Sequence, residues 1–425
     1  MEIRYRRPKG TRDVLLEDME RWQWCEGRWR EVLERYGFGE IRTPIIESTD
    51  LFIRSVGAGT DIVDKEMYTF ETKGGESLTL RPEATASVVR AYLENGLTRQ
   101  PGTLKFYYMG PMFRYDRPQA GRYRQFHQVG VEAVGSDSPV LDAEIIRTAL
   151  ALFEAVDAEG LKVQINTIGC PECRPAYIAR LQAWAGEHRE EFCGTCQGRM
   201  ATNPLRLFDC KEEACRGLMT TFEPIDQAVC QVCRDHHAVV CTSLDAMNVD
   251  YQSDSSLVRG LDYYTRTTFE ISARQDLRQS TLCGGGRYDG LVEQCGGPPT
   301  PAVGFSMGVE RAIRHLYPDS VDPQLSRQSA VDVYMVCLDV AAQAHALTHA
   351  ERLRGVCRIE VDTTGRGAKA QMKSANTRQA RVVLIAGGDE VAAGEFQLKN
   401  LSTGQQDAVA QDVLLAAVKE VIEGE

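Results

Sequence analysis

The residues of this sequence best equipped for chemistry are arginines set on stretches that otherwise read as strand. "GPMFRYDRPQAGRYRQFHQVGVEAVG" (110–135) reads as a strand, an arginine-rich loop and a return strand, and it carries Arg114, Arg117, Arg122 and Arg124 beside Asp116. A guanidinium presents a planar fork of donors that fits phosphate and carboxylate, so several on one hairpin suit a nucleotide or an RNA end. Runs of charge are more often plain solvated turns. Here, however, the apolar return strand also holds Gln128 and Glu132, four residues apart and therefore on one face of the sheet.

A second stretch, "LVRGLDYYTRTTFE" (257–270), is rich in β-branched and aromatic residues and is expected to be a strand. Yet Arg259, Asp262, Tyr263 and Tyr264 crowd into it beside Gly260. Arg259 there can meet an anion, while Tyr263 or Tyr264 offers a hydroxyl to a small polar ligand. "RPEAT" (81–85) adds Glu83 and Thr85, suited to an ammonium group. "PAVGFSMGVERAI" (301–313) adds Arg311 at the start of an apolar helix, after glycines that permit close backbone approach. There is no G-x-x-x-x-G-K-[ST] phosphate loop and no HExxH; "CGGGRYDG" has the wrong spacing for a dinucleotide fingerprint, and no nucleophile elbow is expected. The chemistry indicated is the positioning of anions rather than attack by a protein nucleophile.

Cysteines form a separate constellation. Of fourteen, eight fall in four pairs: "CPEC" (Cys170, Cys173), "CGTC" (Cys193, Cys196), "CKEEAC" (Cys210, Cys215) and "CQVC" (Cys230, Cys233). In a reducing compartment such pairs suggest metal thiolates before disulfides, so one or two four-cysteine zinc sites are expected. The alternative is free thiols in a helical insert.

The elements that must position these residues follow from periodicity and punctuation. An amphipathic helix spans roughly 16–36, followed by an extended "IRTPII" whose Pro44 makes it an edge or interface strand. Between 60 and 150, strand-like runs ("EMYTFE", "SLTLRP", "LKFYYMG", "RQFHQVGVEAVG") alternate with two helical ones, which favours a mixed, largely antiparallel sheet over a regular βαβ series. Residues 170–240 read as a helical, Cys-rich insertion. After the Pro/Ser/Asp-rich "YPDSVDPQLSRQS" (317–329) comes a small α/β domain with strands in "VDVYMVCL", "RIEVDTT" and "RVVLIAG". The domains expected are 1–325 and 326–425, and the class is α+β with an α/β C-terminal domain.

The chain of 425 residues is ample for two or three cores, and its net charge of −11 argues against indiscriminate coating of nucleic acid. Local patches decide specific binding; one, between Arg352 and Arg381, gathers eight Lys/Arg. No apolar run approaches the ~18 residues of a membrane span, and the first residues, "MEIRYRRPKGTRDVL", contain no secretory h-region, so a cytoplasmic protein without a membrane partner is expected.

Taken together, these motifs resemble the bacterial histidyl-tRNA synthetases, class II aminoacyl-tRNA synthetases, and the likeness runs essentially end to end. "GPMFRYDRPQAGRYRQFHQ" is similar to the family's motif 2, "VGFSMGVERAI" to motif 3 and "GFGEIRTPIIE" to motif 1. "RGLDYYTRTTFE" and "GGGRYDGL" are similar to two signatures of the histidine-specific members. "RPEATA" departs from the pattern in having Ala84 where glycine is commoner, but Glu83 and Thr85 are retained.

The resemblance implies a class II catalytic domain with a helical insertion and a C-terminal anticodon-binding domain. It implies activation of L-histidine by ATP to histidyl-adenylate, with Mg2+ accompanying the phosphates, then transfer to the 3′ end of tRNA(His), by a homodimer. ATP would be held by Arg114, Arg122 and Arg311, and Arg259 would bridge the histidine carboxylate and the α-phosphate. Glu83, Thr85 and Gln128 would receive the α-ammonium group, and Glu132 and Tyr264, with Tyr263 and Tyr288, would read the imidazole. Arg117 and Gln119 would touch the tRNA acceptor end, and the basic C-terminal cluster the anticodon stem. A rival exists: a synthetase-like regulatory subunit of ATP phosphoribosyltransferase shares this fold without the activity. Such a protein could lose the phosphate arginines and the C-terminal domain, both present here.

Overall fold

The computed structural model describes residues 4–57, 60–118, 121–274, 281–317 and 331–424. The chain divides into two compact units, Met1–Pro318 and Asp319–Glu425. The expected linker lies, but for Tyr317, outside the described residues, as does Gln119.

In the first unit the strands are β1 (Gly39–Glu40), β2 (Ile46–Ser48), β3 (Tyr68–Glu71), β4 (Ser77–Leu80), β5 (Leu104–Phe113), β6 (Gln125–Val134), β7 (Leu161–Thr167), β8 (Gln252–Ser253), β9 (Thr265–Ala273), β10 (Thr281–Arg287) and β11 (Ala302–Gly308). Eight of them form one sheet in the order β1-β5-β6-β11-β10-β9-β7-β8. All its internal pairings are antiparallel; only the short outermost strands β1 and β8 join in parallel. The mixed, mainly antiparallel expectation therefore holds. Pro44 falls between β1 and β2, which are edge strands of two different sheets; β2 borders the three-stranded sheet β2-β4-β3. Of the expected extended stretch 41–46 only Ile46 lies in a strand; Pro44, which lacks the N–H a ladder needs, stands outside it.

One face of the large sheet is closed by the helices Leu16–Arg35 and Pro139–Glu154. In the first, Trp22, Cys25, Trp29, Val32 and Leu33 recur at helical spacing and are buried, giving one apolar stripe to the core. Trp29 Nε1 donates to the Leu152 carbonyl at 3.1 Å, so the largest buried ring also loses no polar partner. The opposite face of the sheet is left to the cavity described below.

One sequence expectation needs correction, and some strands were not foreseen. The stretch 257–264 is not strand: β9 begins at Thr265, and Arg259, Tyr263 and Tyr264 stand in the loop before it. The backbone rigidity expected of a strand must therefore come from somewhere else. The strand β7 was not foreseen, and neither were glycine-rich β10, "TLCGGGR", and β11 beside it, both central strands. Glycine lowers intrinsic strand preference, but here it makes room. A Cβ on Gly284 would collide with the guanidinium of Arg259, and one on Gly304 with the carboxylate of Glu132.

The second unit is a five-stranded sheet ordered β13-β12-β14-β15-β16, from β12 (Val333–Cys337), β13 (Ile359–Val361), β14 (Val382–Ala386), β15 (Glu395–Asn400) and β16 (Gln406–Ala410). The hairpin β15–β16 was not anticipated. The helix Ala368–Thr377 docks through buried Gln371, whose side chain exchanges hydrogen bonds with the Cys337 backbone at 2.8 and 2.7 Å. Its Lys369 and Lys373 are left exposed. No helix among the described residues is long and apolar enough to cross a membrane.

Candidate active site

Against the sheet of the first unit lies a cavity of about 790 Å³. The residues expected to bind histidine or ATP line it: Glu83, Thr85, Arg114, Arg122, Gln128, Glu132, Arg259, Tyr263, Tyr264, Tyr288 and Arg311; Cys193 and Cys210 line it too. Arg117 does not line it; its side chain is exposed on the loop between β5 and β6.

One part of the cavity is cationic. Arg114, just past β5, donates from Nε to the Pro82 carbonyl at 2.8 Å, and its guanidinium lies 5.3 Å from the centre of the Phe126 ring. Arg122 pairs with Asp116 at 3.1 Å. Arg311, in the first turn of the helix Val309–Leu316, donates to the Thr281 carbonyl at 2.9 Å. Burial, with the like charges of Arg122 and Arg114 adding to it, pushes Arg311 down to about 10. Three guanidinium groups crowded this way gain from an anion placed among them.

Another part is acidic and phenolic. Glu83 accepts from the backbone N–H groups of Thr85 and Ala86 at 2.7 and 3.0 Å, at the start of the helix Thr85–Glu94. Glu132, on β6, accepts from Thr85 Oγ1 at 2.7 Å, from Tyr108 at 3.4 Å, and from the hydroxyl of Tyr288. Burial raises both carboxyls, that of Glu132 to about 8, although the hydroxyls of Tyr288 and Thr85 pull it back. Gln128, four residues before Glu132 and facing the same way, donates to Ser306 Oγ at 3.3 Å, while its own Oε1 is buried without a partner among the described residues. A buried amide oxygen left unpaired awaits a donor.

Arg259 connects the two parts. Its Nη1 meets Glu270 Oε2 at 2.7 Å, and its Nε is buried without a partner among the described residues. Burial opposes its charge, but Glu270 and the phenols of Tyr264 and Tyr263 outweigh that and hold it firmly protonated. Glu270 is also felt by Arg311.

Sequence reasoning missed several participants. Glu270 is the strand residue that fixes Arg259, and Tyr108 sits over Gly130, which has no side chain to obstruct it. The signal available for Tyr108 was a glycine inside the otherwise apolar β6. The string "GFSMG" (304–308) spells G-x-S-x-G, contrary to the expectation of none. Ser306, however, lies within β11, paired with Gly130 and Gly284, and its hydroxyl accepts from Gln128. It is a strand residue, not a nucleophile on a strand-to-helix turn.

The chain matches the histidyl-tRNA synthetase family over residues 10–203 and 209–312, and an anticodon binding domain over residues 332–421. It is 47% identical to the histidine–tRNA ligase of Desulforamulus reducens over 97% of this chain and 98% of that protein. Identity to the histidine–tRNA ligase of Pelotomaculum thermopropionicum is 45%, covering 98% of each. The apo crystal structure of S. aureus histidyl-tRNA synthetase superposes with a TM-score of 0.81 at 34% identity, covering 98% of this chain and 100% of that one.

Proposed function

The chain belongs to the histidyl-tRNA synthetase family, and from that premise we propose how its cavity divides the labour of the reaction. It is a histidine–tRNA ligase, activating L-histidine with ATP and passing the histidyl group to the 3′ end of tRNA(His). The observation that carries the assignment is the joining, through Arg259, of a cationic part that wants an anion to a buried acidic part that wants a small cationic amine.

In the first step the carboxylate of histidine attacks the α-phosphorus of ATP and pyrophosphate leaves. That carboxylate is already ionised, so the protein needs no nucleophile, only orientation and compensation of charge on the phosphates. Arg114 takes the α-phosphate, Arg311 the γ-phosphate, and Arg122 stands beside them. Arg259 spans the histidine carboxylate and the α-phosphate. Glu270 and Glu310 both line the cavity and would hold the Mg2+ of the ATP substrate, which would offset charge on the phosphates.

The unpaired Gln128 Oε1, with Glu83 and Thr85, receives the α-ammonium group. Glu132 and Tyr264, backed by Tyr263 and Tyr288, read the two ring nitrogens. A site built to pair both strongly rejects side chains lacking them, because its own buried groups would be stranded. Arg117 and Gln119 meet the acceptor end of the tRNA, and the exposed Lys369 and Lys373 contact phosphates of the anticodon stem. The boundary between catalytic and anticodon-binding domains is put at 325/326, the compartment is the cytoplasm, and zinc is assigned to the paired cysteines. Exposed Ile45, Ile46 and Phe70, on and beside the small sheet that holds β2, offer an apolar face for a homodimer.

The test is exchange of labelled pyrophosphate into ATP without tRNA, run with each of the twenty amino acids. Exchange with histidine alone is expected; none from folded protein would overturn the reading in favour of a regulatory role. Sedimentation of the same preparation as a single chain at assay concentration would remove the homodimer.

A pH dependence follows from Glu132. Its carboxylate form accepts the imidazole N–H, and that form is scarce below about 8. A ligand that needs the ionised form gains as pH rises through that value, so kcat/KM for histidine in exchange should climb up to about pH 8 and then level. Glu132→Gln should be weaker throughout and flat across the same window. A wild-type profile already flat from about pH 6.5 upward would contradict the role given to Glu132.

A further inference from the structure

The eight paired cysteines separate in space into two groups of four. Cys170, Cys173, Cys230 and Cys233 form one, and Cys193, Cys196, Cys210 and Cys215 the other, with the four sulfurs of each within 4.8 Å of one another. Neighbouring sulfurs lie 3.7 and 4.0 Å apart in the first group (Cys170–Cys173; Cys170–Cys230 and Cys173–Cys233) and 3.9 Å in the second (Cys193–Cys210). A disulfide would need about 2.05 Å. Four thiolates at ~2.3 Å around a tetrahedral ion stand ~3.8 Å from each other, which is the spacing found. The backbone is shaped to match: the Cys170 N–H points at Cys173 Sγ (3.3 Å) and the Cys193 N–H at Cys215 Sγ (3.2 Å). Such N–H···S contacts support thiolate ligands.

The groups are nested in sequence, the second lying between the halves of the first. Together they tie a 64-residue stretch of separate helices, Arg174–Glu187, Gly194–Thr202, Glu213–Met219 and Ile225–Ala228, with Cys233 at the start of a further one, Gln231–Ala246. What that stretch touches is the loop 257–264. Arg174, next to Cys173, donates to the Tyr264 carbonyl at 2.5 Å. The Gly169 carbonyl, next to Cys170, accepts from the Arg266 N–H at 2.7 Å. Asn203, between Cys196 and Cys210, donates to Asp262 Oδ1 at 2.6 Å. Tyr263, Tyr264 and Tyr288 belong to the same buried cluster as the cysteines.

We propose that the insertion binds two zinc ions in separate tetrathiolate sites, and that through Arg174 and Asn203 these knots hold the loop 257–264 in the shape that reads histidine. Arg174 and Asn203 are positioning residues: they touch loop backbone and Asp262, not substrate. The loop is irregular, so it lacks the ladder of hydrogen bonds that would fix a strand. Its clamps come from a segment of several helices with no strand among them, whose ends the two cysteine groups tie together.

This rests on the histidine-ligase reading, so both are measured on one preparation of the full-length protein purified without chelator. Metal analysis is expected to give two zinc ions per chain. Replacing Cys170 and Cys173 together by serine, or Cys193 and Cys196 together, should each remove one ion and leave the other. Fewer than two zinc ions in the wild type, or iron in their place, overturns the proposal. For the clamps, Arg174→Ala and Asn203→Ala should each raise the histidine KM about tenfold, the loss of roughly one hydrogen bond to a charged group. Both should keep two zinc ions and an unchanged ATP KM, and Arg174→Lys should recover part of the loss. A parallel rise in both KM values, or none, sinks the positioning role. Zinc with no histidine-dependent exchange defeats the ligase reading and leaves the metal sites standing; exchange with histidine and no zinc does the reverse.

Discussion

Arg259→Ala is expected to cut histidine-dependent pyrophosphate exchange by about 10²–10³, the range seen when one preorganised donor is removed from a developing charge. The physical reason is position. Arg259 is buried, held from one side by Glu270 on β9 at 2.7 Å, and seated above Gly284, whose missing side chain leaves the guanidinium its space. A group so fixed does not have to reorganise as charge moves from the histidine carboxylate to the phosphates. Most of the loss should fall on kcat rather than on the ATP KM, because Arg114 and Arg311 still hold the triphosphate. Arg259→Lys should restore little: an ammonium is a point charge and cannot hold Glu270 while also spanning two anions. Far-ultraviolet circular dichroism checks that the fold survives. Near-normal exchange by the alanine variant would show that Arg259 does not bridge the reacting groups.

The largest stability effect is expected from Asp142→Asn, about 3–5 kcal/mol off the larger unit. Asp142 and Arg287 are both fully buried. Asp142 accepts from Arg287 Nε at 3.0 Å, from His236 Nε2 at 2.7 Å and from Thr267 Oγ1 at 2.6 Å. Arg287 is further held by Asp289 at 3.0 Å and by the Ser136 and Ser138 carbonyls at 2.9 and 3.2 Å. Burial alone would raise the Asp142 carboxyl, yet His236 and Arg287 keep it below the ordinary range. A depressed carboxyl contributes stability above its unfolded value of ~3.9, and that contribution is lost as pH falls through the lower folded value. Asparagine keeps the shape but leaves the buried Arg287 guanidinium with Asp289 alone to balance its charge.

All four tryptophans lie in the larger unit, so urea denaturation followed by their fluorescence reads the relevant transition. The double replacement Asp142→Asn with Arg287→Met should recover much of the loss, since it removes the buried charge that Asp289 alone balances only in part. A midpoint for Asp142→Asn equal to wild type would refute the account. Because Tyr288 follows Arg287 directly and donates to Glu132, a raised histidine KM should accompany the lost stability.

How much of this was legible in the sequence depends on the kind of signal. Local chemistry was legible: Arg114 announced itself as one of several arginines on a hairpin, Arg311 as a charge at the start of an apolar helix, and Glu132 as a carboxylate in an apolar strand. The helix Leu16–Arg35 and the hairpin of β5 and β6 followed from hydrophobic period. The loop 257–264 was read as strand because its residues have strand propensity, and β10 is a strand although its glycines lack it; in each case the neighbours decided, not the propensity.

By itself, then, the sequence determined the class of chemistry, the two-part organisation and the presence of paired thiols, because side-chain type and spacing act locally. Tertiary structure alone decided which thiols share a site. The order of pairs along the chain allows several groupings, and only the fold brings Cys170 and Cys173 to Cys230 and Cys233. It also decided that Glu270 braces Arg259, that glycines of β10 and β11 clear space for Arg259 and Glu132, and that Asp142 neutralises Arg287. Each of these joins residues distant in the chain, and their partnership is fixed by strand register and helix packing, which no local pattern encodes.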